Sequence, residues 1–188
     1  HGGGPMGISR LVSSLALSKT VAVTDKAAAL RAAGKQIISL SVGEPDILPA
    51  PAVMTAAHKA LDDGHVRYTE CAGLKALRDA ICDYLKANKG LTYQPNEIVC
   101  SNGGKQSLLQ AMVALCDPGD EVIVPAPYWV SYTQMAVLAR AEPVVISTRE
   151  SDGYCLMPND LEAAITPRTK VLILCNPSNP TGATHPAS

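Results

Sequence analysis

The sequence predicts an α/β fold with a mostly parallel sheet and helices on both faces. Two observations carry this. From residue 98 onward, short apolar segments alternate with segments of helical spacing. One of the short segments, Val171-Leu172-Ile173-Leu174, is apolar without interruption. Parallel strands need crossovers of helical length, and a strand covered on both faces reads as a continuous apolar run.

The elements follow in order. Thr24 is placed to cap a helix over 25–33, with Gly34 to close it. Residues 37–41 form a short strand candidate, and a proline-rich loop runs on to Pro51. A helix over 52–62 ends at Gly64. Another begins near Gly73, where Leu74, Leu77, Ile81 and Leu85 share one face, and stops before Gly90. Then come a strand over 98–101, a helix over 105–116 and a turn at Asp117-Pro118-Gly119-Asp120. A strand over 121–125, a helix over 129–139, a strand over 143–147, a helix over 159–165 and a strand over 170–175 complete the pattern.

Composition narrows the classes. A chain of 188 residues, 47% apolar, accommodates one or two domains and a sizeable core. Sixteen Lys and Arg against seventeen Asp and Glu, spread along the chain, argue against a nucleic-acid surface. No apolar run approaches the roughly 20 residues that span a bilayer. The six cysteines show no C-x-x-C spacing and several sit in apolar runs, which points to buried thiols in a reducing compartment. The histidines at 1, 58, 65 and 185 are far apart, so a metal site is not expected. His1-Gly2-Gly3-Gly4-Pro5 reads as a flexible leader or a fragment edge. Its G-x-G-x-x-G match lacks a preceding strand and is set aside.

Three stretches have the character of chemistry. Ser101-Asn102-Gly103-Gly104-Lys105 joins a strand end to a helix start. Two glycines and a helix N-terminus make an anion cradle there, although a tight turn would use the same residues. Gln106 follows the lysine, which excludes a Walker loop. Tyr128-Trp129 follows the next strand. Trp129 is the only tryptophan, available to stack on a flat ligand or to fill the core. In Asn176-Pro177-Ser178-Asn179-Pro180-Thr181-Gly182, two Asn-Pro steps stiffen a loop that can present the Asn179 amide.

Taken together, these stretches resemble the N-terminal half of a fold-type I pyridoxal-phosphate aminotransferase, of the bacterial-type aspartate and plant prephenate aminotransferase group. The resemblance rests on the order of Ser41-Val42-Gly43-Glu44-Pro45-Asp46, Arg67-Tyr68-Thr69 with Gly73 and Leu77-Arg78, and Ser101 to Gln106. Asp117 to Ile123, Pro127-Tyr128-Trp129-Val130-Ser131-Tyr132 and Asn179-Pro180-Thr181-Gly182 continue it. It implies the large-domain fold of that family, here incomplete. Residues 1–50 would be an N-terminal arm with part of the small domain, and 51–188 the first half of the large cofactor-binding domain.

The resemblance implies roles by position. Gly103, Gly104 and Lys105 would hold the phosphate of pyridoxal 5'-phosphate, and Trp129 would stack on its ring. Asn179 would bond the phenolic oxygen and help bind the substrate, beside Gly43. Tyr68 would reach the neighbouring subunit's site in a homodimer. The reaction implied is ping-pong amino transfer between aspartate or glutamate and a 2-oxo acid such as oxaloacetate, 2-oxoglutarate or prephenate. No nucleic acid or membrane is implied, and the compartment would be cytoplasm or plastid stroma. Ile47-Leu48-Pro49-Ala50 departs from the family pattern of an aromatic, an acid, a threonine and a proline. The family's Schiff-base lysine would lie beyond residue 188, so residues 1–188 alone are expected to be inactive. On the family's strand order, the strands at 121 and 143 would be neighbours, while those at 98 and 170 would lack the adjacent partners that come later in the chain. The chain alone is therefore expected to be poorly soluble or molten. The alternative is a non-catalytic truncated subunit that pairs with a full-length aminotransferase.

Overall fold

The computed structural model describes residues 7–15, 19–40, 43 and 45–186. Ser41, Val42 and Glu44 of the first motif and the glycine-rich leader at 1–6 lie outside them. The described residues form two compact units, one of residues 19–102 and the other of the remainder.

The first unit is helical. It contains α2 (Lys19–Ala32), α3 (Pro51–Asp62) and α4 (Lys75–Lys89); α1 (Arg10–Ser13) precedes it and belongs to the other unit. Thr24 lies inside α2, which begins five residues before it, so it is not the cap that its residue type had suggested. Gly34, Gly64 and Gly90 follow the three helices at φ +79°, +75° and +67°, where a side chain would be strained. Arg78 ties the unit together. Its Nε donates to Gly73 O (3.0 Å), its Nη1 to Pro95 O (3.0 Å), and it pairs with Glu70. Gly73 is there for a steric reason: at φ +100°, a Cβ would come within 2.7 Å of Cys100 Cβ.

Two expected strands are missing. Residues 37–40 and 98–101 are extended but belong to no ladder. Ile38 and Leu40 are 93% and 94% exposed. Apolar sequence makes a segment compatible with a sheet, but only a hydrogen-bonding neighbour makes it a strand. The apolar stripe of α4 is likewise uncovered, and neither α3 nor α4 has a buried residue.

The second unit holds the sheet. Helix α5 (Gly103–Leu115) leads to β1 (Glu121–Ala126), α6 (Ser131–Leu138), β2 (Glu142–Ser147), α7 (Pro158–Ala164) and β3 (Thr169–Leu172). The order is β2-β1-β3, and both pairings are parallel. Strands at 121 and 143 are neighbours, as expected. The strand at 170 pairs with the earlier strand β1 on one side. It ends at Leu172, three residues early, although Ile173 N–H still donates to Ile123 O (3.0 Å). Val122 and Val124 pack with Met112 and Cys116 on the α5 side and with Tyr132, Met135, Ala136 and Ala139 of α6 and its end. Ile123, alternating to the other face, is also fully buried.

Glu121 opens β1 and is buried. Its Oε1 meets Arg168 Nη2 at 2.6 Å, and its Oε2 accepts from Thr166 Oγ1 at 2.6 Å. This network joins the start of β1 to the turn before β3. Of the six free cysteines only Cys116 is buried and Cys71 is exposed, so the expectation of buried thiols holds at one position. Cys82, Cys100, Cys155 and Cys175 are half-buried. No helix among the described residues is long and apolar enough to cross a membrane.

The chain exposes 14435 Å². A compact monomer of this mass exposes about 8,600 Å², and two separate compact bodies of half the mass about 10,400 Å² together. Much of the excess is apolar, with Ile47, Leu48, Val66 and Val99 each more than half exposed. Stability should therefore be uneven. Hydrogen exchange is expected to show amides of 121–126 at least about a hundredfold more protected than those of α3 and α4. Glu121→Ala, which removes the acceptor of the Thr166 hydroxyl and one of the two carboxylates that pair with Arg168, should lower protection across β1 by the equivalent of about 1 kcal/mol. Uniformly weak protection in both units would show that the sheet is molten too.

Candidate functional site

Because β1, β2 and β3 are parallel, their carboxyl ends share one edge of the sheet, where ligands collect in α/β folds. Ala126 ends β1, and its carbonyl is held by Thr148 just past β2, through N–H (3.0 Å) and Oγ1–H (2.6 Å). The chain then runs through Pro127 and Tyr128 to Trp129. Tyr128 and Trp129 pack against the α5–α6 core cluster, and the Trp129 ring meets Tyr132 edge-on at 5.4 Å and 88°. Core packing thus holds one side of the indole. Over its face lies the Lys105 ammonium, 5.0 Å from the ring centroid.

That contact brings the start of α5 to the same place. Gly103 begins the helix at φ +75°, and a Cβ at either Gly103 or Gly104 would meet nothing within 4 Å. There is space for a ligand beside these two positions. The first N–H groups of any helix lack intrahelical acceptors and sit at the positive end of its dipole, so this turn suits an anion. Lys105 adds a full positive charge on a flexible stem.

The third stretch forms a closed loop after β3. Ser178 N–H donates to Ala183 O (2.7 Å), and Gly182 N–H, at φ +72°, to Ser178 O (2.9 Å). Ala183 N–H donates to Thr181 Oγ1 (3.2 Å), and His185 N–H to Asn176 Oδ1 (3.1 Å) across the base. Asn179 is at the exposed tip and lines a cavity with Tyr128, Tyr132, Cys175 and His185.

The structure therefore brings together Gly103, Gly104 and Lys105 with Trp129, and Asn179 with Trp129's neighbours. Gly43 and Tyr68 belong to the other unit, where both are exposed. Sequence reasoning passed over Tyr132, Cys175, Thr148, Tyr154 and His185, which line the cavity. Tyr132 had a signal, since it lies three positions after Trp129. Cys175 and His185 flank the Asn179 motif in sequence, whereas Thr148 and Tyr154 had no signal, because they reach the cavity from the separate connection between β2 and α7. Among the described residues, no group of three His, Cys, Asp or Glu side chains is placed to hold a metal.

The sequence profile described as aminotransferase class I and II matches residues 35–188. The chain belongs to this family. It is 51% identical over 180 residues to the bifunctional aspartate aminotransferase and glutamate/aspartate-prephenate aminotransferase of Petunia hybrida, covering 95% of this chain and 37% of that protein. It is 48% identical to the aspartate/prephenate aminotransferase of Cereibacter sphaeroides, over 89% of this chain and 42% of the relative. Among solved structures, the aspartate aminotransferase from Thermus thermophilus with maleate superposes with a TM-score of 0.93 at 42% identity. That match covers 97% of this chain and 48% of that one. The chain thus spans less than half the length of these aminotransferases.

The cavity beside Asn179 has a distinct electrostatic character. Burial, reinforced by the Cys175 side chain bonded to it, pushes the Tyr132 phenol up to about 12. The folded state therefore favours the neutral phenol. The stability this confers is complete below the ordinary phenol value of 10.0 and is lost as pH rises toward about 12. A spectrophotometric tyrosine titration should show one late phenol, and Cys175→Ala should bring its midpoint down. A single titration step near pH 10 in the folded protein would contradict this environment.

Proposed function

We propose that the chain forms the cofactor-cradle half of a pyridoxal-phosphate-dependent aminotransferase. The observation that supports this most directly is the convergence of an open Gly-Gly-Lys helix start and the face of the only tryptophan. An anion subsite next to an aromatic platform fits a phosphorylated, planar cofactor and little else.

In this reading the backbone N–H groups at Gly103 and Gly104 bind the phosphate, and Lys105 neutralises it. Lys105 is exposed and can leave the indole face, since such a cation–π contact contributes only about 0.5–1 kcal/mol. Trp129, braced by Tyr132, would stack on the cofactor ring. The Asn179 amide donates to the phenolic oxygen and helps orient the substrate carboxylate. Pyridoxal phosphate supplies the electron sink for amino transfer when bound. Gly43 lies against the substrate, and Tyr68 completes the site of a neighbouring subunit in a homodimer. Residues 1–50 form the arm and part of the small domain, and 51–188 the first half of the large one. The substrates are an acidic amino acid and a 2-oxo acid, in line with the aspartate and prephenate activities named for the relatives. The compartment is cytoplasm or plastid stroma.

Trp129 is its own reporter. Pyridoxal phosphate should quench its fluorescence more tightly than unphosphorylated pyridoxal, and inorganic phosphate should compete. Trp129→Ala should weaken binding of the phosphorylated cofactor, measured by dialysis, about tenfold. Asn179→Ala should weaken it about fivefold. Equal affinity for pyridoxal with and without the phosphate would overturn the cradle.

A further inference from the structure

His185 is the one histidine in the sheet-containing unit's described residues, and its ring is used in an unusual way. Nε2 accepts a hydrogen bond from the Leu156 backbone N–H at 2.9 Å. An imidazole nitrogen accepts only when unprotonated, so the neutral ring carries its hydrogen on Nδ1. Nδ1 is buried and has no hydrogen-bond partner among the described residues. Buried polar atoms left in this state are rare and call for an explanation.

The ring sits at a junction. On its own side, the His185 N–H closes the base of the Asn179 loop onto Asn176 Oδ1. On the other, Leu156 and Cys155 belong to the segment between β2 and α7, and the Cys155 thiol donates to Thr184 O at 3.4 Å. These two bonds clip the outgoing limb of the Asn179 loop to that segment. The titratable groups lining the shared cavity are Tyr128, Tyr132, Tyr154 and Cys175, with no carboxylate or ammonium among them. Of the charged groups on the facing segment and on α7, Arg149 pairs with Asp152 at 2.7 Å and with Asp160 at 3.2 Å, and Glu150 and Glu162 do not line the cavity. Nothing that lines the cavity offers a negative charge to a protonated His185.

We propose that His185 is a proton-sensitive latch that holds the Asn179 loop in place. When the ring is neutral, Nε2 accepts from Leu156 and the loop is clipped. Protonation puts a hydrogen on Nε2 facing the Leu156 N–H, two donors meet, and the clip opens. The latch is complete on the alkaline side of the ring's titration and lost on the acid side. Imidazoles as a class change charge between about pH 5 and 8, which is the range to test. Its consequence for cofactor binding rests on the reading of Asn179 given above.

The test is hydrogen exchange at Leu156, Ser178 and Gly182 across that pH range, corrected for intrinsic exchange. In the wild type, protection should fall roughly threefold to tenfold on acidification, the worth of one hydrogen bond. His185→Gln, whose amide oxygen can accept at any pH, should stay protected throughout. His185→Phe should be unprotected throughout. Wild-type protection that does not change with pH, or a His185→Gln variant that loses it in parallel with the wild type, would overturn the latch. A second arm measures pyridoxal phosphate affinity by Trp129 fluorescence in wild type and His185→Gln, which cancels the ligand's own titration. An affinity that falls on acidification only in the wild type ties the latch to the cofactor. Exchange that responds without any affinity difference keeps the latch and overturns the role of Asn179.

Discussion

Strand β1 is hydrogen-bonded on both sides and buried on both faces, and the loops of the candidate site in its own unit are arranged around its carboxyl end. Val122, Ile123 and Val124 are fully buried. Such a strand has no freedom to slip, because a shift of one residue would exchange its two faces. Glu121 holds its first residue through Arg168 and Thr166. A buried carboxylate adds little net stability over an apolar pair, but it is costly to separate from its partners. It therefore ties the register to the approach of β3. With the start held and the centre packed, the carboxyl end delivers Pro127, Tyr128 and Trp129 at a fixed level.

The candidate site is built on the loops beyond that edge. Each loop is held by a different device. Thr148 holds the end of β1 with two bonds to a single carbonyl. Trp129 is set by core packing along one side, which leaves its face to Lys105. The Asn179 loop is closed by its own backbone bonds and clipped at its exit by His185. A rigid strand with individually tethered loops is the usual way to place binding groups without strain in the sheet.

The two units differ in what holds them. The sheet unit has a core in which Met112, Met135 and Ala136 are almost fully buried against the strands. The helical unit depends on the Arg78 bonds, the close approach of Gly73 to Cys100 and helix capping, while its apolar faces stay open. Hydrogen bonds of this kind contribute only about 1 kcal/mol each, which does not replace a core. The large exposed area goes with a chain that spans less than half the length of its relatives.

Local chemistry was legible in the sequence. Helices α3 to α7, the glycines that end three of the helices and the Gly103, Trp129 and Asn179 motifs could all be read from spacing, because each depends on neighbours within a few positions. Tertiary structure alone decided which apolar segments became strands. Residues 98–101 and 121–124 are alike in composition, yet only the second found partners for its backbone groups. It also decided that Lys105 lies over Trp129, and that Tyr132, Cys175 and His185 share a cavity with Asn179. Lys105 and Trp129 are 24 positions apart, and Tyr132 is 47 positions before Asn179. Only the closing of β1 between its two neighbours, which brings their loops to one edge, sets the distances between them.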